Sequence, residues 1–249
     1  MSSVIETNYT SLKPFRELFA KGMPCLMYHK IGPCPREAKI KGLYLSAKLL
    51  DQQLSELAEA GFTTPAYGQL PEKSNAGNTV ALTFDDGFLN AFQNALEPLA
   101  RHRLRAIQFL VPGHIGKYNE WDVKLGEARE PLMSAGQVRE WLAAGHEIGA
   151  HTLTHPFLTR VSFREAREEI FASKKKLEDA FGVAIRHFAY PYGDWNEPVR
   201  DLVREAGYVT ACTTEFGLNT TDTHPLALKR IMARRRSISL KAIKARLAR

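Results

Sequence analysis

Thr79-Val80-Ala81-Leu82-Thr83-Phe84-Asp85-Asp86-Gly87 is the stretch that decides how this chain folds. From Thr79 to Phe84 the residues are apolar or β-branched, which predicts a buried strand. The strand then runs into two carboxylates and a glycine. Adjacent residues on a strand point to opposite faces, so Asp85 and Asp86 serve one centre only if the chain turns there. Gly87 frees the backbone for such a turn. The plainer use of the pair is a helix N-cap plus a turn residue.

A second fragment has the same layout. Glu147 to Ala150 reads as a strand and leads into His151-Thr152-Leu153-Thr154-His155. A spacing of four lets two imidazoles meet one metal from a helical turn or tight loop. Pro156 limits any helix that would continue from it. Two satisfied, partly buried histidines are the plainer alternative. Taken together, three of these four groups can close on a divalent ion and leave a position open for water. The fourth is then free to act as a base, which suits hydrolysis of an unactivated amide or ester.

Working outward, strands and amphipathic helices alternate. Pro24 to His29 reads as a strand with a polar tip. Ser46 caps a helix presenting Leu50, Leu54, Leu57 and Ala58, which Gly61 stops. Further helices are predicted from about Asn90 to His102, from Ser134 to Ala144, from Ser162 or Phe163 to Phe181, and from Glu197 to Ala206. Strands are predicted at Ala106–Val111, Phe188–Tyr190 and Tyr208–Thr213. This order argues for a parallel sheet covered by helices, with polar residues at the C-terminal strand ends. A closed barrel and an open doubly wound sheet both satisfy it.

With 249 residues, 44% hydrophobic and 24% charged, the chain has the composition of a globular protein able to bury a large core. No apolar run approaches the roughly 20 residues of a membrane span. Met1 to Glu6 lacks the pattern of a signal peptide, and Cys25, Cys34 and Cys212 are an odd, scattered set. The expectation is a cytoplasmic protein without a disulfide framework. The net charge of +7 is uneven. Lys229 to Arg249 holds nine Lys and Arg and no acid, leaving 25 basic against 27 acidic residues elsewhere. That speaks against a general nucleic-acid-binding surface and favours a local anionic contact. From Ser239, Leu240, Ile243 and Leu247 share one helical face among Lys241, Lys244, Arg246 and Arg249. Such a helix either lies on the inner face of a membrane or packs on the body. The expected division is an N-terminal extension over 1–23, one domain over 24–231 and a basic C-terminal helix over 232–249.

With these residues in place, the chain resembles the polysaccharide deacetylases of carbohydrate esterase family four, defined by the NodB homology domain. Thr83-Phe84-Asp85-Asp86-Gly87 matches that family's first motif and His151-Thr152-Leu153-Thr154-His155 its second. Phe188-Ala189-Tyr190-Pro191-Tyr192-Gly193 is similar to its third. The resemblance implies a distorted, TIM-like (β/α) barrel of seven strands. It also implies a metal-dependent N-deacetylase acting on an N-acetylated, amino-sugar-containing glycan. Asp86, His151 and His155 would hold the metal, with Asp85 as general base. Zinc suits that ligand set, as do cobalt, iron and nickel. The backbone N–H of Tyr192 would stabilise the oxyanion. Tyr190, Pro191, Trp121 and Trp195 are the expected residues of the substrate cleft, with packing against the body an equal alternative for Trp121 and Trp195, while Trp141 reads as core.

Two departures stand out. Ala189 occupies the place of the arginine that holds the base, and Arg186 is not its positional equivalent. No histidine follows His224, so the usual C-terminal Leu–His motif is missing. Relatives acting on poly-N-acetylglucosamine exopolysaccharide carry a Met-Tyr-His segment near the N-terminus, which Met27-Tyr28-His29 resembles. His29 is therefore the expected general acid, with His114 and His224 as weaker candidates. Two other readings remain: a deformylase or O-acetyl esterase, and a catalytically weak glycan-binding barrel, which the two departures favour.

Overall fold

The computed structural model describes residues 7–65 and 78–234. Seven parallel strands close into a barrel in sequence order: β1 (Cys25–Tyr28), β4 (Ala81–Phe84), β5 (Ile107–Leu110), β6 (Glu147–Ala150), β7 (His187–Ala189), β8 (Thr210–Phe216) and β9 (Leu228–Met232). β9 pairs back onto β1 through Leu26–Ile231 and Met27–Met232. The open-sheet alternative is thereby excluded. A separate two-stranded parallel sheet, β2 (Lys30–Ile31) with β3 (Tyr44–Leu45), stands beside the C-terminal end of β1.

Helices cover the outside. α1 is Arg16–Phe19 and α2 Ala47–Glu59. α3 (Leu89–Arg101) joins β4 to β5. α4 (Glu120–Val123) and α5 (Ala135–Ala143) join β5 to β6. α6 (Phe163–Phe181) joins β6 to β7, and α7 (Glu197–Glu205) joins β7 to β8. The caps expected from sequence form. Ser46 Oγ accepts from Leu49 N at 3.2 Å, and Ser134 and Ser162 make reciprocal capping boxes with Gln137 and Glu165. Among the described residues no helix is long and apolar enough to cross a membrane.

The two faces of each strand feed two cores, which is why the strands read as unbroken apolar runs. Inside the barrel, Cys25, Ala81, Ile107, Phe109, Ala189 and Leu228 pack together. Outside it, Leu26, Leu82, Phe84, Leu110, Phe188 and Ile231 face the helices. The lumen is tight at Gly149, where a Cβ would stand 2.6 Å from the Phe109 ring and 2.8 Å from His187 O.

The N-terminal extension packs on the barrel, with Tyr9, Leu12, Phe15 and Phe19 buried in the outer core and Tyr9 N donating to Met232 O at 2.8 Å. The segment from Lys117 to Leu132, for which no element is predicted from sequence, contains the short helix α4. The barrel closes through β9, which periodicity did not mark because two of its five residues are Lys229 and Arg230. The expected amphipathic helix from Ser239 lies outside the described residues.

Candidate metal centre

Asp85 continues strand β4, its N–H donating to Tyr28 O at 3.0 Å. Its side chain therefore falls on the same face as Thr83, toward the lumen. Asp86 then leaves the strand with φ of 75°, followed by Gly87 at 79°. The turn lies at Asp86 itself, and this brings the second carboxylate to the same pocket. Thr152 (62°), His155 (69°) and Tyr192 (59°) are also left-handed, so four of the five such non-glycine residues described surround one centre. Backbone strain of this kind concentrates where function demands a geometry that packing would not choose.

Asp86 Oδ1 lies 3.3 Å from His151 Nε2 and 3.2 Å from His155 Nε2, and the two nitrogens are 3.2 Å apart. All three side chains are buried. Despite these distances, Asp86 Oδ1 receives no well-directed hydrogen bond from a described residue. His151 Nδ1 is 2.7 Å from Ala189 O and must donate to it, which presents the Nε2 lone pair to the pocket. Three ligand atoms thus converge within 4.8 Å of one another, which fits a divalent cation. Burial alone would raise the Asp86 pKa, but the two imidazoles outweigh it and hold the carboxyl well below its usual range.

The His loop is pinned from outside. Glu169 of α6 accepts from Thr154 N at 2.8 Å and Thr154 Oγ1 at 2.6 Å. Asp194 accepts from Thr159 N at 2.8 Å and Thr159 Oγ1 at 2.7 Å. The His155 ring is stacked on Trp121, with centroids 4.7 Å apart, and meets Tyr192 edge-on at 4.6 Å.

The residue that sequence reading missed is Arg230 on β9. It is 1% exposed and lies inside the barrel mouth. Nη1 and Nη2 each donate to one oxygen of Asp85 at 2.8 Å, while Nε donates to Thr213 O at 2.7 Å and Nη1 also to Thr83 Oγ1 at 3.1 Å. This fork holds Asp85 off the cation position. Burial pushes the Asp85 pKa up, but Arg230, then His151 and His29, bring it below the ordinary value. The arginine absent at Ala189 thus has a counterpart on β9, which answers one of the two departures that favoured a catalytically weak barrel. The signal was an arginine at strand spacing from Leu228, followed by Ile231 and Met232. Its place in a cationic run concealed it.

His29 directly follows β1, with Nε2 3.8 Å from Asp85 Oδ2. Burial lowers its pKa, although Asp85 and Asp86 pull the other way. Two cleft assignments change. Tyr190 is fully buried with its hydroxyl donating to Leu226 O at 2.9 Å, and Pro191 is buried too, so both support the turn from below. Trp195 is partly buried, 6.0 Å from Tyr190, and donates to Glu215 Oε1 at 3.3 Å. His114 packs edge-on to Trp121, and His224 Nδ1 accepts from Leu226 N at 3.1 Å, away from the ligand trio. Trp141 is core, as expected.

Comparison with known proteins gives a consistent picture. The polysaccharide deacetylase family model matches residues 72–211. YxkH of Bacillus subtilis (strain 168) is 26% identical over 84% of this chain and 70% of its own length. A chitooligosaccharide deacetylase of Bradyrhizobium sp. (strain ANU 289) is 32% identical over 52% of each chain, so this chain spans about half that relative's length. The structure of IcaB from Ammonifex degensii superposes with a TM-score of 0.73 at 25% identity, covering 90% of this chain and 96% of that one.

Proposed function

Because the chain belongs to the polysaccharide deacetylase family, we propose that it hydrolyses N-acetyl groups from an amino-sugar-containing glycan and releases acetate. The observation that carries this reading is the pair of neighbouring carboxylates with divided tasks. Asp86 faces two imidazoles, while Asp85 is held beside them by Arg230. The chitooligosaccharide deacetylase similarity and the likeness to IcaB support a glycan substrate.

Asp86, His151 and His155 would hold a divalent metal, with zinc the first choice and cobalt, nickel or iron as alternatives, and that ion would supply Lewis acidity toward the acetyl carbonyl and a water. Asp85 accepts the proton of the attacking water, since its fork with Arg230 leaves further lone pairs on both oxygens. The left-handed turn at Tyr192 supports its backbone N–H as the oxyanion donor. His29 is placed to deliver a proton to the leaving amine; burial disfavours its protonated form, while the neighbouring Asp85 and Asp86 favour it. The basic segment beyond residue 234 suits contact with an anionic membrane at its inner face, where a nascent or lipid-linked glycan would be met.

Acetate release from N-acetylated chitooligosaccharides tests the reading. Chelator should abolish it and added zinc or cobalt restore it. Asp85→Asn should lower kcat by about 10²–10⁴ while retaining the metal. Undiminished turnover by metal-free Asp85→Asn protein would refute the mechanism.

A further inference from the structure

The two imidazoles of the ligand trio are held in different ways. His151 Nδ1 has Ala189 O at 2.7 Å, which fixes both its tautomer and the direction of its ring. His155 Nδ1 is buried and has no hydrogen-bond partner among the described residues. A ligand without such a partner keeps its aim only by packing. What packs on this ring is aromatic. The Trp121 indole lies against it, 21° from parallel with centroids 4.7 Å apart, and the Tyr192 ring meets it nearly at right angles at 4.6 Å. Tyr192 is backed in turn by Phe157, stacked at 3.8 Å.

Trp121 belongs to α4, and the segment that carries α4 is tied to both motif loops. Met133 N donates to Gly87 O at 2.8 Å, one residue past the ligand Asp86, and Gly116 N donates to Met133 O at 2.8 Å. Gly113 N donates to Leu153 O at 2.9 Å, inside the histidine loop. Between these ties the buried Asn119 bridges the segment. Its Nδ2 donates to Ala128 O at 3.1 Å, and its Oδ1 accepts from Glu130 N at 2.6 Å. Trp121 is 9% exposed, with His114 edge-on to it at 5.1 Å. So small an exposed area leaves no open ring face on which a sugar could stack.

We propose that Trp121 is a positioning residue for the metal ligand His155, its indole doing by stacking what Ala189 O does for His151 by hydrogen bonding. Two effects follow from that contact. A ring already held in its binding orientation loses little rotational freedom when a cation arrives. A cation on Nε2 also draws electron density from the imidazole, and an electron-poor ring is held more firmly by the electron-rich face of an indole. The contact is thus stronger in the loaded site than in the empty one, which is the condition for it to raise affinity. The proposal rests on the metal-centre part of the function proposed above and deepens it.

The test compares two apolar substitutions in the full chain: Trp121→Phe, which keeps a ring face, and Trp121→Leu, which fills much of the same space without one. Zinc affinity, measured by competition with a chromophoric chelator, should fall about tenfold in Trp121→Leu, the order expected when a group that orients a metal ligand is removed. Trp121→Phe should stay within about threefold of wild type, because the stack survives. The visible absorption bands of the cobalt-loaded protein should shift in Trp121→Leu and hold in Trp121→Phe. Equal losses of zinc affinity in the two variants, tracking a lowered Tm, would assign the indole to the fold and overturn the proposal. Wild-type zinc affinity in both overturns it as well, and a raised KM alongside would make Trp121 a cleft residue. Should Trp121→Leu fold poorly, Trp121→Met, unbranched and ringless, takes its place. A wild-type protein that takes up no zinc fails on the metal centre and takes this proposal with it. A wild type that binds zinc but releases no acetate fails on the deacetylase reading alone, and the zinc affinities of the variants still decide.

Discussion

At the scale of single residues, the contact between Arg230 and Asp85 separates this site from a simple three-ligand cluster. The guanidinium fork matches both carboxylate oxygens, and an ammonium cannot reproduce it. Arg230→Lys should therefore keep the charge but lose the geometry. We expect kcat to fall by roughly 10–100-fold, the order seen when a partner that orients a reacting group is removed. Losing the fork also lets the Asp85 pKa rise, so the acid limb of the kcat/KM profile should move to higher pH. An unmoved limb would show that Arg230 serves only the fold. Arg230→Ala should be far worse for stability, by about 3–5 kcal/mol, because it leaves a buried carboxylate unpaired. Residue chemistry was legible in the sequence where spacing was short: two adjacent aspartates and two histidines four apart announce one centre. Arg230 is 145 positions from its partner, and only the closed barrel brings the two together.

At the scale of elements, α6 does more than cover the barrel. Its N-terminal cap was readable from Ser162 and Glu165, but its hold on the His loop through Glu169 was not, since a charged residue on an exposed helical face carries no mark of its task. Glu169→Ala should weaken zinc binding by roughly tenfold, the loss expected when a group that orients a metal-binding loop is deleted. Isothermal titration calorimetry with zinc would check it. Unchanged affinity with a lowered Tm would assign the clamp to the fold alone. The predicted strands β4 and β6 were nearly right in extent because both are buried on two faces. β7 and β8 were displaced by a residue or more because their ends carry His187, Tyr190 and Glu215, which read as loop or core with equal ease.

At the scale of the whole molecule, the barrel has a chemical end and a structural end. At the second lie His146, just before β6, and His187, which opens β7. Burial, aided by Arg105 for the first and by Arg186 and Lys174 for the second, lowers each to about 4. The unfolded chain takes up both protons as pH falls through ~6.5, while the folded chain refuses them until about 4. Stability is therefore fully present above that upper value and declines toward the lower one, by up to about 3 kcal/mol for each histidine. Urea midpoints measured between pH 7.5 and 4 should show this slope, and the His146→Gln/His187→Gln double variant should show less of it than the wild type. Equal slopes would place the acid sensitivity elsewhere. The alternation of strand and helix made this architecture visible in outline. Closure itself depended on a seventh strand that composition had disguised.

That seventh strand has a consequence during biosynthesis. A ribosome that has delivered everything up to β8 has already made both carboxylates and both imidazoles, yet the sheet is open and Asp85 has no guanidinium to steady it. Only when Leu228 to Met232 emerges do the seam and the base arrive in one step. A chain that stops short of Leu228 would carry the carboxylates and imidazoles but neither the closing strand nor the guanidinium that fixes Asp85.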